Sequence, residues 1–193
     1  MAFIDDDEAL IAAALNGSAY GWEKLVRRYE SKIYNYGLRL TGNATDAMDL
    51  MQEVFMGVYR NLHRFRGDAK FSSWIFRIAH NKAVDMNRRR ALLQGKSLSF
   101  DDTEGLEFQF TDHDTSAEPD SRLIKGQQNH EIQKLLQILP IEQRLVIELK
   151  IFQSQTFEQI AEMQEISENT AKTRFYSALK KLKAIMEESH VLS

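Results

Sequence analysis

The stretch Phe71 to Arg90, FSSWIFRIAHNKAVDMNRRR, carries residue types at a spacing that suits contact with nucleic acid. On a helix of about 3.6 residues per turn, Trp74, Arg77, Asn81, Val84 and Arg88 recur at steps of three and four. They therefore share one face, and it runs into Arg88, Arg89 and Arg90. Cations neutralise phosphates and a large aromatic can stack on an unpaired base, so this face suits single-stranded or opening nucleic acid. Ile75, Ile78, Ala79, Ala83 and Met86 form a second, apolar stripe that can pack on a core. These residues alone leave a plainer alternative open, a solvated basic helix with a half-buried tryptophan.

Three helices are expected to position this one. Asp5, Asp6 and Asp7 supply acceptors and negative charge at a helix start, and Ala9 to Leu15 follows, ending near Gly17. Ser18 can cap a helix over about Tyr20 to Leu40, whose apolar beat is Trp22, Leu25, Val26, Tyr29, Ile33, Tyr36, Gly37 and Leu40. Thr41-Gly42-Asn43 ends it in the manner of a glycine C-cap. The third helix, Ala44 to about Leu62, buries Ala47, Met51, Val54, Phe55, Val58 and Leu62. Asp49, Gln52, Glu53, Met56 and Arg60 share its other face, which a partner protein with basic side chains can read; ordinary solubility explains it as well. A basic and aromatic loop, Arg64-Phe65-Arg66-Gly67-Asp68, then leads to Phe71.

DLMQEVFMGVYRNLHRF at Asp49 to Phe65, followed by FSSWIFRIAHNKAVDMNRRR, resembles the second conserved region of bacterial sigma factors of the sigma-70 family, specifically the small extracytoplasmic-function group, group 4. The resemblance implies that Asp49, Gln52, Glu53 and Met56 dock on the beta-prime clamp helices of core RNA polymerase. It implies that Phe65 and Asn81 lie at a pocket for a flipped base of the minus-ten element, with Arg77, Lys82, Arg88 and Arg89 on the backbone. Phe71, Trp74 and Phe76 match the family's aromatic positions for strand opening, and some of these rings must also serve the core. The chemistry is consistent, since an extruded base loses stacking worth a few kcal/mol and an aromatic surface plus a carboxamide restores part of it.

After Arg90 the helical beat fades. Between Ser97 and Asp120 lie eight acidic residues and no lysine or arginine, which reads as a flexible acidic linker. Leu106, Phe108 and Phe110 alternate as a short strand would, and His113 lacks further ligands at metal spacing. Helical pattern returns near Pro119 with Leu123, Ile124, Ile132, Leu135, Leu136 and Leu139; Pro140 then starts a helix with Leu145, Val146, Leu149 and Phe152 apolar. Thr156-Phe157-Glu158-Gln159 is a capping box opening a short helix, Gln164-Glu165-Ile166 is a turn, and Ser167 caps a longer helix from Glu168 to about Met186. This is helix-turn-helix spacing. Ala171, Phe175, Ala178, Leu179, Leu182 and Ile185 should face inward. Asn169, Lys172 and Thr173 are then candidate readers of a major groove, with Arg174, Tyr176, Lys180 and Lys181 on the backbone. The segment from Leu139 to Lys183 resembles the fourth region of the same family, which reads the minus-thirty-five element and meets the polymerase beta flap. It departs from the family at Glu165, where glycine is common, and at Ala171, where valine is.

The expected architecture is all-α: two small helical domains, residues 1–93 and 119–193, joined by the acidic linker 94–118. The net charge is −3, and residues 1–93, 94–126 and 127–193 carry 14, 3 and 8 basic against 11, 8 and 9 acidic side chains. Basic groups are thus gathered locally, and strong binding to duplex DNA by the chain alone is not expected. Zero cysteines excludes disulfides and thiolate metal sites, no apolar run is long enough for a membrane span, and the acidic start is unlike a signal peptide, so a cytoplasmic protein is expected. No catalysis and no cofactor are expected: His63, His80, His113, His130 and His190 show no zinc-protease spacing, and no phosphate loop or nucleophile elbow occurs. The resemblance implies a sigma factor for a stress or envelope response, with core RNA polymerase, promoter DNA and an anti-sigma factor as partners. A one-component helix-turn-helix repressor is the competing reading, which leaves the Asp49–Met56 face, Trp74 and Asn81 without a role.

Overall fold

The computed structural model describes residues 6–93 and 131–191. The expected acidic linker, its strand-like stretch, His113 and the start of the helical pattern near Pro119 all lie outside them. Among the described residues the chain is all-helical: α1 Asp6–Leu15, α2 Ala19–Thr41, α3 Ala44–Asn61, a 3-10 turn Leu62–Arg64 and α4 Phe71–Leu93, then α5 through 131–137, α6 Ile141–Ile147 continuing as a π-helical turn Glu148–Phe152, α7 Phe157–Gln164 and α8 Glu168–Val191.

Local chemistry sets these boundaries. The Gly21 backbone N–H donates to Ser18 Oγ at 3.2 Å, starting α2, and Gly42 in the left-handed region (φ 69°) ends it, its N–H donating to the Leu38 carbonyl. Asn43 Oδ1 accepts from the N–H groups of Thr45 and Asp46 at the head of α3. Asp7 joins α1 to α2: nearly buried, it accepts from Arg28 Nη1 at 2.7 Å and Tyr29 Oη at 2.5 Å.

Ile33, Val54, Ile75 and Ala79 are fully buried where α2, α3 and α4 meet. Ile78 and Met86 complete the apolar stripe of α4 from its edges. The packed centre does not stop at α4. Leu145, Val146 and Leu149 from α6 and its π turn, and Ile160 from α7, belong to the same apolar cluster, so the two halves of the sequence meet across one continuous core. Arg144, at 2% exposure, bridges them: its guanidinium donates to the Leu40 carbonyl, to Gln137 Oε1 at 2.7 Å and to the carbonyls of Gln137 and Leu139 at 3.0 and 2.9 Å. The Leu40 carbonyl is among the last four of α2, which have no partner inside their own helix.

Candidate nucleic-acid and polymerase interface

Asp49, Gln52, Glu53 and Met56 all lie exposed on one side of α3, while Ala47, Leu50, Val54 and Val58 are buried on the other. Three polar side chains thus surround a methionine left 49% exposed. Beside this face, Lys82 of α4 donates to Glu53 Oε2 at 2.9 Å, and that hydrogen bond and charge hold the Glu53 carboxyl below its ordinary range. The α3 face and the α4 face are therefore contiguous.

On α4, Arg77, Asn81, Arg88 and Arg89 are exposed, and Trp74 and Lys82 partly so. Trp74 belongs to an aromatic cluster with Phe65 and Phe71, ring centroids 5.4 and 5.6 Å away, so Phe65 from the preceding loop reaches the tryptophan. Two of the three rings matched to strand opening are core: Phe71 is 3% and Phe76 2% exposed, the latter against Tyr36. Position decides this, since 71 and 76 fall on the side of α4 shared with Ile75 and Ala79, which leaves Trp74 as the partly exposed ring of the three. His80 is also buried, its Nδ1 finds no protein partner, and burial lowers its pKa to about 4.

The second element is a helix-turn-helix. Thr156 Oγ1 accepts from the Gln159 N–H at 3.1 Å while Gln159 Oε1 accepts from the Thr156 N–H at 2.9 Å, closing the capping box of α7. Glu165 adopts the left-handed conformation (φ 55°) in the turn, and Ser167 Oγ accepts the Thr170 N–H at 3.0 Å to start α8. Asn169, Thr173, Tyr176, Lys180 and Lys181 are exposed, with Lys172 and Arg174 partly so. Thr173 Oγ1 donates back to the Asn169 carbonyl and Arg174 reaches Gln164 on α7, so these two are held by their own domain. Lys172 pairs with Glu168 at 2.6 Å. Ala171 and Ala178 are fully buried as expected, whereas Leu179 stays 37% exposed because it sits at the edge of the α8 stripe.

The sequence reading missed Arg144 and Glu148. Both are charged residues of a helix read only for its apolar positions, and both are buried. Glu148, fully buried, accepts from Arg39 Nε at 2.6 Å and Nη2 at 2.7 Å, and from Gln153 at 3.0 Å. Desolvation raises its carboxyl pKa against the opposing pull of Arg39. A second link ties Arg77, one of the candidate DNA contacts, to Glu162 of α7 at 2.8 Å.

Two family models match, Sigma-70 region 2 over residues 25–92 and Sigma-70, region 4 over residues 129–182. The chain is 30% identical over 160 residues to ECF RNA polymerase sigma factor SigW of Bacillus subtilis, covering 83% of this chain and 86% of that one. It is 26% identical to RNA polymerase sigma-H factor of Pseudomonas aeruginosa over 178 residues, 90% of each chain. Among solved structures, CnrH in complex with the cytosolic domain of CnrY superposes with a TM-score of 0.65 at 21% identity, over 95% of this chain and 99% of that one. The sigma factor RpoE in complex with the anti-sigma factor NepR from Bartonella quintana gives 0.64 at 18%, over 86% and 96%; at these identities the likeness is one of fold. With both regions matched in order and a relative 30% identical along most of both chains, this chain belongs to the sigma-70 family of RNA polymerase sigma factors.

Proposed function

We propose that the chain is an extracytoplasmic-function, group 4 sigma factor that docks on core RNA polymerase, directs it to two-element promoters and traps the opened strand, in a stress or envelope response. The chain is not an enzyme in this role: binding energy to the extruded base and the backbone shifts the equilibrium from closed to open DNA. Residues 1–93 form the polymerase-binding and minus-ten domain, 94–118 the linker and 119–193 the minus-thirty-five domain. Asp49, Gln52, Glu53 and Met56 take the beta-prime clamp. Trp74 and Phe65 with Asn81 receive the flipped base while Arg77, Lys82, Arg88 and Arg89 follow the backbone. Asn169, Lys172 and Thr173 read the distal element, flanked by Arg174, Tyr176, Lys180 and Lys181.

One observation carries this reading above a repressor: the exposed acidic and methionine face of α3 adjoins the cationic, tryptophan-bearing face of α4, joined at Glu53 and Lys82. A repressor needs only the helix-turn-helix. Both CnrH and RpoE are held by protein partners, and an anti-sigma factor is proposed here as well. A cytoplasmic site of action follows from the polymerase partner, and among the described residues no helix is long and apolar enough to cross a membrane. Run-off transcription with purified core enzyme on a promoter library tests the proposal. The expected products share two elements upstream of their starts; transcripts no different from core enzyme alone, with no co-elution of chain and core, would overturn it.

A further inference from the structure

Asn169 and Thr173 stand one turn apart on the exposed side of α8, near the start of a helix that begins at Glu168. Residues at that end of the second helix of a helix-turn-helix are the ones that reach base edges. What each can offer a base depends on which of its groups the chain has not already used. Thr170 is spent on the cap: its backbone N–H donates to Ser167 Oγ at 3.0 Å, and its hydroxyl meets the same oxygen at 2.8 Å. Lys172 is held by Glu168 at 2.6 Å, and Arg174 turns back to Gln164 at 3.3 Å. Thr173 is committed in one atom, its Oγ1 donating to the Asn169 carbonyl at 2.8 Å. A hydroxyl has a single proton, and here the backbone takes it. The side chain is left with a methyl and an oxygen that can only accept.

That inventory narrows the bases Thr173 can recognise. Guanine N7 and O6, adenine N7 and thymine O4 are acceptors and need a donor, which Thr173 no longer has. Two kinds of partner remain: the C5-methyl of thymine for Cγ2, or the amino groups of adenine and cytosine for Oγ1. The bond to the carbonyl draws the oxygen back along the turn that precedes it. Oxygen and methyl hang on one β-carbon and turn about one torsion, so pinning the first fixes the second on the other branch. Resting on the function proposed above, we propose that Thr173 reads a thymine of the distal promoter element by contact of its methyl with the C5-methyl of the base. The hydroxyl serves as the brace that holds this methyl in one rotamer, and it contributes no hydrogen bond to the DNA.

The test runs the full-length chain with purified core RNA polymerase on promoters whose distal element is randomised, made once with thymine there and once with uracil. Uracil pairs as thymine does and lacks only the methyl. The expected result is a position in the distal element at which thymine is enriched and at which a single uracil lowers initiation roughly fourfold, the effect of one methyl group left in water. Thr173→Val keeps a methyl and removes the oxygen; it should retain the preference and its sensitivity to uracil. Thr173→Ser keeps the hydroxyl and removes the methyl; it should start equally well on the thymine and the uracil promoter. Position 173 is exposed, so both variants should fold as the wild type does. The reverse pattern, with serine behaving as wild type and valine losing the preference, assigns the contact to the oxygen and overturns the proposal. So does a distal element in which uracil and thymine serve equally at every position. If no initiation depends on the chain, the function proposed above fails instead, and enrichment by the chain alone from random duplexes containing thymine or uracil still judges the methyl contact by the same criteria.

Discussion

His80 should make α4 sensitive to acid, and the size of the effect can be worked out. The side chain is 5% exposed on the buried side of α4, its Nδ1 has no protein partner, and burial lowers its pKa from 6.5 to about 4. A histidine held neutral in the fold is protonated more readily in the unfolded chain. Its contribution to stability is therefore complete above pH 6.5 and is lost as the pH falls towards 4. At about 1.4 kcal/mol per pH unit, that interval amounts to about 3.5 kcal/mol, roughly 1.4 of it gone by pH 5.5. His80→Leu keeps an apolar side chain of comparable size and removes the titration. Glu148 acts with the opposite sign: its raised carboxyl pKa makes the folded state the better proton acceptor, so its contribution rises as pH falls through that raised value. Being common to both proteins, it cancels in the difference. Urea denaturation at pH 7.5, 5.5 and 4.5 should show the wild type losing about 2.5 kcal/mol more than His80→Leu across the series. Parallel pH profiles for the two proteins would refute the assignment of the acid lability to His80.

Alanine at Asn81, which is exposed, should impair strand opening without altering association with core polymerase; permanganate reactivity of promoter thymines is the readout, and a wild-type footprint contradicts the role. Trp74→Ala should lose opening too, with a stability cost of about 1 to 2 kcal/mol from the rings of Phe65 and Phe71 that it contacts, visible in a thermal melt. Glu165→Gly relieves a left-handed residue and should stabilise by about 0.5 to 1 kcal/mol after the added freedom of the unfolded chain is subtracted, whereas Glu165→Ala should not; equal melting temperatures for both would speak against backbone strain. Arg144→Met strands buried carbonyls at Leu40, Gln137 and Leu139 and should cost about 3 to 5 kcal/mol in urea denaturation, a loss under about 1 kcal/mol showing that water replaces the guanidinium.

What could be read from the chain was whatever depends on neighbours within a turn or two. The caps at Ser18, Thr156 and Ser167, the glycine stop at Gly42 and the stripes of α2 to α4 all follow from contacts no more than four residues long, and the exposed faces of α3 and α8 are what those stripes leave over. Even the unfavourable turn at Glu165 was visible as a departure from glycine. The remainder depends on contacts remote in sequence. Arg144 and Glu148 sit four apart on one side of a helix, a pattern indistinguishable from a solvated face, until Arg39 and the end of α2 are brought against them from more than a hundred residues away. The π turn over Glu148–Phe152 has no signature in residue type either, and Phe152, an apolar position of the expected helix, stands 37% exposed beside Arg39. Phe71 and Phe76 show the converse: matched by type to strand opening, they are placed in the core by their helical phase.

The chain, with net charge −3, presents two cationic faces, on α4 and on α8. Each surface has a cation already engaged by a carboxylate of the chain itself: Arg77 by Glu162, Lys82 by Glu53, Lys172 by Glu168. These pairs are exposed, so each stabilises the fold by less than about 1 kcal/mol, and their importance lies in competition. A phosphate approaching Arg77 or Lys82 must displace an anion that is held in place, which offsets part of the counterion release that drives unspecific binding. In the function proposed above, a polymerase cation that claims the Glu53 carboxylate would free Lys82 for the strand. Glu162 lies on α7, so the same competition at Arg77 comes from the helix-turn-helix half.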